Sequence, residues 1–434
     1  MIGALMLLAL IAAICIGFPM AFTLLAVVVL FGSWGLGTRV FDLMVFQTVT
    51  LLKEEVLAAV PLFIFMGYVV EQSGLMERLF RAFRLIFAPL RGSLYLAVIF
   101  TAIIFAMATG IVGAAVTVLG IMAGNTMIKS RYDPKLSAGV ITAGGSLGIL
   151  IPPSVMLIVM GPVVGVPTTT LFAAAVVPGL MLSATYAIYT LARCHFNPAL
   201  GPALPPEEWP TSAWQVVREL VLGVIPVVII ILATLGTILA GLATPTDAGA
   251  VGAFAVLLLT IAYRRLTLAT FKSAIYSTLE VSSMILILVA ASNFFGSVFS
   301  RLGSAGYIAE LLLGLSLPPI VMLLLILAVI FVLGWPLEWV PIVLIVVPIL
   351  LPLVTKLGID LTWFCTLVAV CLQTAWLSPP VALSAYFLKG VVPDWELTDI
   401  YAGMVQFMGL QLAVLALIIV FPELALWFPR WLAS

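Results

Sequence analysis

The chain has 434 residues, 64% of them hydrophobic and 8% charged, with a formal net charge of zero and a mean hydropathy of +1.32. A water-soluble globule carries roughly 25% charged residues, so this composition excludes one. The neutral balance, with no basic surface, also excludes nucleic-acid binding. In chain order, apolar runs occupy 1–31, 56–76, 94–128, 136–192, 221–263, 281–299, 308–355, 361–392 and 402–429. Several exceed the roughly 20 residues that one span needs, so they divide into helices or re-entrant pieces, and the pattern predicts about 11 full spans plus two hairpins. Buried backbone groups in lipid must be satisfied internally and the alternation of a β-barrel is absent, so the spans are helices. The predicted class is an all-α polytopic membrane protein. The opening stretch to Phe31 has no basic n-region and no small-residue cleavage site, and reads as a retained first helix, not a signal peptide.

Arg78, Arg81 and Arg84 repeat at three-residue spacing beside Leu79, Phe80, Phe83 and Leu85. That pattern suits an amphipathic helix at the membrane surface with its arginines among headgroups, or an ordinary polar helix end. With Arg91 they form one basic connection, and Arg264, Arg265 and Lys272 form a second. The positive-inside tendency puts both in the cytoplasm. Further on, Lys129, Asp133 and Pro152-Pro153 recur at one constant spacing as Lys356, Asp360 and Pro379-Pro380. Two consecutive prolines remove two amide donors, and Gly144, Gly145, Ser146 and Ser154 around the first pair offer turns and oxygen ligands. Two related halves, each broken at membrane depth, are how secondary transporters build a binding site. The Pro- and Gly-rich stretch from His195 to Trp214 is a loop, and it divides the chain into halves 1–196 and 215–434 joined by a polar linker, 197–214. Asp133 and Asp360 follow basic residues in short connectors, where salt bridging at a hairpin edge suffices for them.

A charge at bilayer depth needs a partner, a water path or an ion. Glu338, in Gly334-Trp335-Pro336-Leu337-Glu338-Trp339, is the strongest candidate. It is either a helix-start carboxylate near the interface or an ion ligand, since hard cations prefer oxygen. Its first-half counterpart, Met107-Ala108-Thr109-Gly110-Ile111-Val112-Gly113, has no carboxylate, so an ion there relies on carbonyls and the Thr109 hydroxyl. Asp247 and Thr244 or Thr246 suit a helix cap as well as binding. Asn293 faces either another helix or the site. Cys15, Cys194, Cys365 and Cys371 lack metal-ligand spacing. No phosphate-cradling G-x-x-x-x-G-K-[ST] loop is present, and neither is a catalytic triad. The chain therefore reads as no enzyme, and transport is driven by an ion gradient or by no input.

At these same residues the chain resembles the large membrane subunit of the tripartite ATP-independent periplasmic (TRAP) transporters, the DctM-like family. The resemblance spans nearly the whole length. It is carried by Pro61-Leu62-Phe63-Ile64-Phe65-Met66-Gly67, Ser73-Gly74-Leu75, Gly148-Ile149-Leu150-Ile151-Pro152-Pro153-Ser154, Pro178-Gly179-Leu180, Gly241-Leu242-Ala243-Thr244-Pro245-Thr246-Asp247-Ala248 and Gln373-Thr374 with Leu377-Ser378-Pro379-Pro380. It implies inverted repeats with two re-entrant hairpins and broken helices, an elevator-type fold. It further implies a sodium-coupled importer in a bacterial inner membrane, with a small four-helix membrane subunit and a periplasmic binding protein that delivers a small organic acid. One sodium site would involve Thr109 or Gly110 with Gly334, Leu337 and Glu338, and the other Gly145, Pro152, Thr374 and Pro379 through oxygens. The chain departs from the family's serine-rich stretch at Thr109–Ala114 and has Gly161-Pro162 where tyrosine-glycine is common. The competing reading is an ion-coupled organic-anion or dicarboxylate carrier that works without a binding protein.

Overall fold

The computed structural model describes residues 2–110, 112–335, 337–379 and 381–433, apart from the side chains of Ala4, Cys15, Ala108 and Thr109. Ile111, Pro336, Pro380 and the Thr109 hydroxyl, all named above, lie outside the described residues. Within them the chain is helical and carries no strand. Eight helices are long and apolar enough to cross a membrane by length and composition, the longest being Leu268–Arg301 and Thr168–Phe196. Several other apolar helices stop short. Met20–Leu36 ends at Gly37 and Ser93–Thr109 ends at Gly110, both glycines with positive φ.

The duplication seen in the sequence extends to whole elements. Ser93–Thr109, Val112–Lys129, Pro134–Ser146, Val155–Val164 and Thr168–Phe196 are matched by Pro319–Leu333, Trp339–Lys356, Leu361–Ala375, Leu383–Val391 and Leu397–Val420. Their starts lie 226 to 229 residues apart, close to the 227 that separate Ser146 from Gln373. The two copies run in opposite senses. Lys135 reaches Asp399 at 3.7 Å, which joins the start of Pro134–Ser146 to the start of Leu397–Val420. The Trp363 indole donates to the Ile418 carbonyl at 3.0 Å, which joins the start of Leu361–Ala375 to the other end of that same helix. The matched helices thus enter from opposite ends and meet tip to tip, an inverted repeat.

Asp133 and Asp360 are not salt-bridged among the described residues. Each is an N-cap instead, with a carboxylate oxygen accepting from the backbone N–H of Leu136 at 2.7 Å or Trp363 at 2.9 Å. A capping carboxylate satisfies an otherwise orphaned amide and faces the positive end of the helix, which explains why both copies keep it. Asp360→Ala is expected to cost about 1 kcal/mol, seen as a lower thermal midpoint, while Asp360→Asn keeps the capping oxygen and most of the stability.

Small residues set one tight backbone-to-backbone crossing. Pro134–Ser146 lies on Leu397–Val420 so closely that a Cβ on Gly403 would stand 2.0 Å from the Lys135 carbonyl oxygen and 2.8 Å from the Gly139 nitrogen. At one end of the molecule, Leu75–Phe87 buries Leu75, Leu79, Phe80 and Phe83 and exposes Arg81. Its other arginines have protein partners beyond the headgroups expected of them. Arg78 lies over the Tyr263 ring at 4.4 Å, and Arg84 pairs with Glu208 of the linker. The linker is strapped to the same end by the Gly92 N–H on the Gly201 carbonyl and the Tyr95 hydroxyl on the Leu200 carbonyl. Both basic connections therefore share one face, as the positive-inside argument requires.

Candidate functional site

Each half turns back on itself at a break and seats that break on its own double-proline segment. In the first half the turn is Gly110, at φ 63°, in the left-handed region that glycine adopts without strain. A Cβ on it would lie 3.4 Å from the Val155 nitrogen and 3.6 Å from the Pro153 carbonyl oxygen. Ser154 steadies that segment by donating to the Ile149 carbonyl. In the second half a Cβ on Gly334 would come within 2.6 Å of the Ala375 Cβ, so only glycine allows this approach. The Trp335 indole donates to the Ser378 hydroxyl at 3.0 Å and ties the break to the residue before Pro379. Leu337 and Glu338 line a cavity of about 220 Å³ there, with Trp376, Ala382 and Leu383.

A larger cavity, about 410 Å³, lies between the two breaks. Gly110, Gly113 and Thr117 face it from the first half, and Glu338, Trp339 and Trp376 from the second. Glu55–Gln72 contributes Ile64, Tyr68 and Glu71, and Leu268–Arg301 contributes Val281, Met284 and Ile285. The volume suits a small molecule. Its chemistry is lopsided: among the described residues two carboxylates, Glu71 and Glu338, line it and no basic side chain does. Glu338 occupies the N-cap position of Trp339–Lys356 without making the side-chain capping bond, and it has no hydrogen-bond or ion-pair partner among the described residues. A helix-start carboxylate that leaves its own helix uncapped and faces two cavities is free to meet a ligand.

The predicted site residues fall into three groups. Gly110, Gly334, Leu337 and Glu338 gather around these cavities, but each break contacts its own double-proline segment more directly than it contacts the other break. Gly145, Pro152, Thr374 and Pro379 belong to the double-proline arms. Gly145 packs against the Val116 backbone, and the Thr374 hydroxyl donates to the Val370 carbonyl of its own helix at 2.9 Å. Asn293 stands apart, lining a separate cavity of about 410 Å³ with Ser292, Ser297 and Arg301. Asp247 closes a capping box with Thr244, accepting from its hydroxyl at 2.7 Å, and is thereby a structural residue. Tyr68, Glu71 and Thr117 were not singled out from the sequence. Glu71 alone carried a signal, as a carboxylate inside the apolar run 56–76.

Residues 5–424 match the model of the family described as "Tripartite ATP-independent periplasmic transporter, DctM component". The chain belongs to this family. Among DctM-component relatives, the C4-dicarboxylate TRAP transporter large permease protein DctM of Pseudomonas aeruginosa is 30% identical over 87% of this chain and 86% of that protein. The sialic acid TRAP transporter large permease protein SiaM of Vibrio cholerae is 28% identical over 96% of this chain and 94% of its own. Both are transporter permeases, not enzymes. The fold is similar to that of the Alcanivorax borkumensis YdaH transporter, with a TM-score of 0.65, 89% of each chain covered and 16% identity. The chain is thus a multi-pass TRAP large permease.

Proposed function

We propose that this TRAP large permease is the membrane pathway of a tripartite, sodium-coupled importer of small organic acids in the bacterial inner membrane. A periplasmic binding protein delivers the acid, and a small four-helix membrane subunit braces the permease. The observation that carries the sodium coupling is the charge of the central cavity. With Glu71 and Glu338 on its wall and no basic residue, it repels an organic anion until cations offset the carboxylates. Sodium ions held by Glu338, by backbone oxygens at Gly110 and Gly334 and by the double-proline segments supply that offset. The helix beginning at Val155 then turns its amides towards the substrate carboxylate. The breaks and their double-proline segments move as one body past Glu55–Gln72 and Leu268–Arg301, an elevator step. Each net positive charge carried inward contributes about 2.3 kcal/mol per 100 mV.

The relatives named for C4-dicarboxylates and sialic acid share a carboxylate, and that group is the part of the substrate this cavity can read. The test is uptake of radiolabelled succinate and sialic acid into proteoliposomes holding this chain and its small partner, with the cognate binding protein outside. Uptake that needs both an inward sodium gradient and the binding protein is the expected result. Sodium-driven uptake that ignores the binding protein points to the stand-alone carrier, and uptake indifferent to sodium overturns the coupling.

A further inference from the structure

Ser146 and Gln373 are repeat-equivalent positions, and they touch. The Gln373 side-chain amide donates to the Ser146 hydroxyl at 3.3 Å, and Gln411 of Leu397–Val420 donates to the same hydroxyl at 3.4 Å. Ser146 in turn donates to the Ala143 carbonyl at 2.9 Å. All three side chains are fully buried. Two positions related by a pseudo-twofold operation can meet only at its axis, so this contact is equally related to both halves. It is a weak contact for stability alone: both amide bonds are long, and among the described residues the side-chain oxygens of Gln373 and Gln411 accept no hydrogen bond.

Packing on either side connects the contact to both breaks. Gly110 sits on Pro153 and Val155, and Gly145 presses on the backbone of Val116, in the arm that follows Gly110. Ser146 is the next residue. On the other side Gln373 lies two residues before Ala375, which Gly334 contacts directly. We propose that Ser146, Gln373 and Gln411 are positioning residues that couple the two halves, so that ordering one break by a bound cation raises the cation affinity of the other. Neither Ser146 nor Gln373 touches the central cavity, so the role is indirect. The proposal rests on the sodium reading given above. It adds that sodium binds cooperatively and that this polar bridge is the reason.

Trp335, Trp339 and Trp376 surround the second break and report on it. The experiment is a titration of the full-length purified chain with sodium chloride, replaced by choline chloride at constant ionic strength, followed by tryptophan fluorescence. The wild type is expected to respond sigmoidally, with a Hill coefficient approaching about 2 for two strongly coupled sites. Gln373→Leu and Ser146→Ala should each bring it to about 1; each also leaves a buried polar group unpaired, so the thermal midpoint in choline is recorded beside the titration to separate lost coupling from lost fold. The double variant should do no more than either single one. Gln411→Leu provides an independent perturbation from the third helix. Wild-type cooperativity kept in these variants, or single effects that add, overturns the coupling and leaves the sodium reading standing. A wild-type chain blind to sodium chloride overturns both.

Discussion

Glu338→Gln is expected to raise the sodium concentration for half-maximal uptake by about 10–100-fold, which corresponds to the roughly 1.5–3 kcal/mol of one charge-assisted contact. The substitution keeps the size and shape of the side chain and removes only its charge, so loss of packing does not confuse the result. Glu338 makes no capping bond to its own helix, so no folding role is lost either. Uptake at saturating substrate, measured against sodium in proteoliposomes, gives the number directly. Glu338→Asp, which retains the charge but draws it back by one methylene, should fall between the two. Wild-type sodium dependence in Glu338→Gln would remove the carboxylate from ion coordination and return it to the role of a helix-start residue.

The second large effect is structural. Gly403→Leu should abolish recovery of folded, monodisperse protein. A Cβ at this position already collides with the Lys135 carbonyl and the Gly139 nitrogen, and both are backbone atoms that no rotamer change can move aside. Overpacking of a core by side chains costs typically 1–3 kcal/mol, and a clash between backbones lies at or beyond the upper end. The control is on the same helix. A Cβ on Gly409 meets nothing within 4 Å, so Gly409→Leu should leave size-exclusion profile and thermal midpoint close to those of the wild type. If the two substitutions behave alike, the close crossing of Pro134–Ser146 on Leu397–Val420 does not hold the two halves together.

What the sequence made legible was local in origin. Proline and glycine act on their own backbone, so the breaks at Gly110, Pro152 and Pro379, and the repeat that relates the halves, could be read before any contact was known. Pairing of the breaks was not legible, because it depends on where distant segments dock. Gly110 rests on Pro153 and Gly334 on Ala375, while Gly110 and Glu338 line one cavity. Tyr68 and Thr117 escaped notice because nothing in an apolar run distinguishes a hydroxyl that faces a cavity from one that faces a neighbouring helix. The same ambiguity of face left Asn293 open between a neighbouring helix and the site, and it lines a cavity apart from the central one. Asp133 and Asp360 were read by charge, and their work is done by hydrogen bonding to a helix start.

The inverted repeat also bears on how the chain enters a membrane. Two copies of one pattern must be threaded with opposite orientations, yet the same pattern of basic residues would pull both the same way. Leu75–Phe87 and its counterpart Ser304–Leu313 show how the conflict is resolved. Where the first helix places Arg78, Arg81 and Arg84, the second has Ala305, Ile308 and Leu311. Packing is common to both copies, but on this helix the orientation signal is carried by one copy alone. By the positive-inside tendency, the arginines of this helix hold the first half in one orientation, and their replacement by apolar residues lets the matching helix take the reverse one.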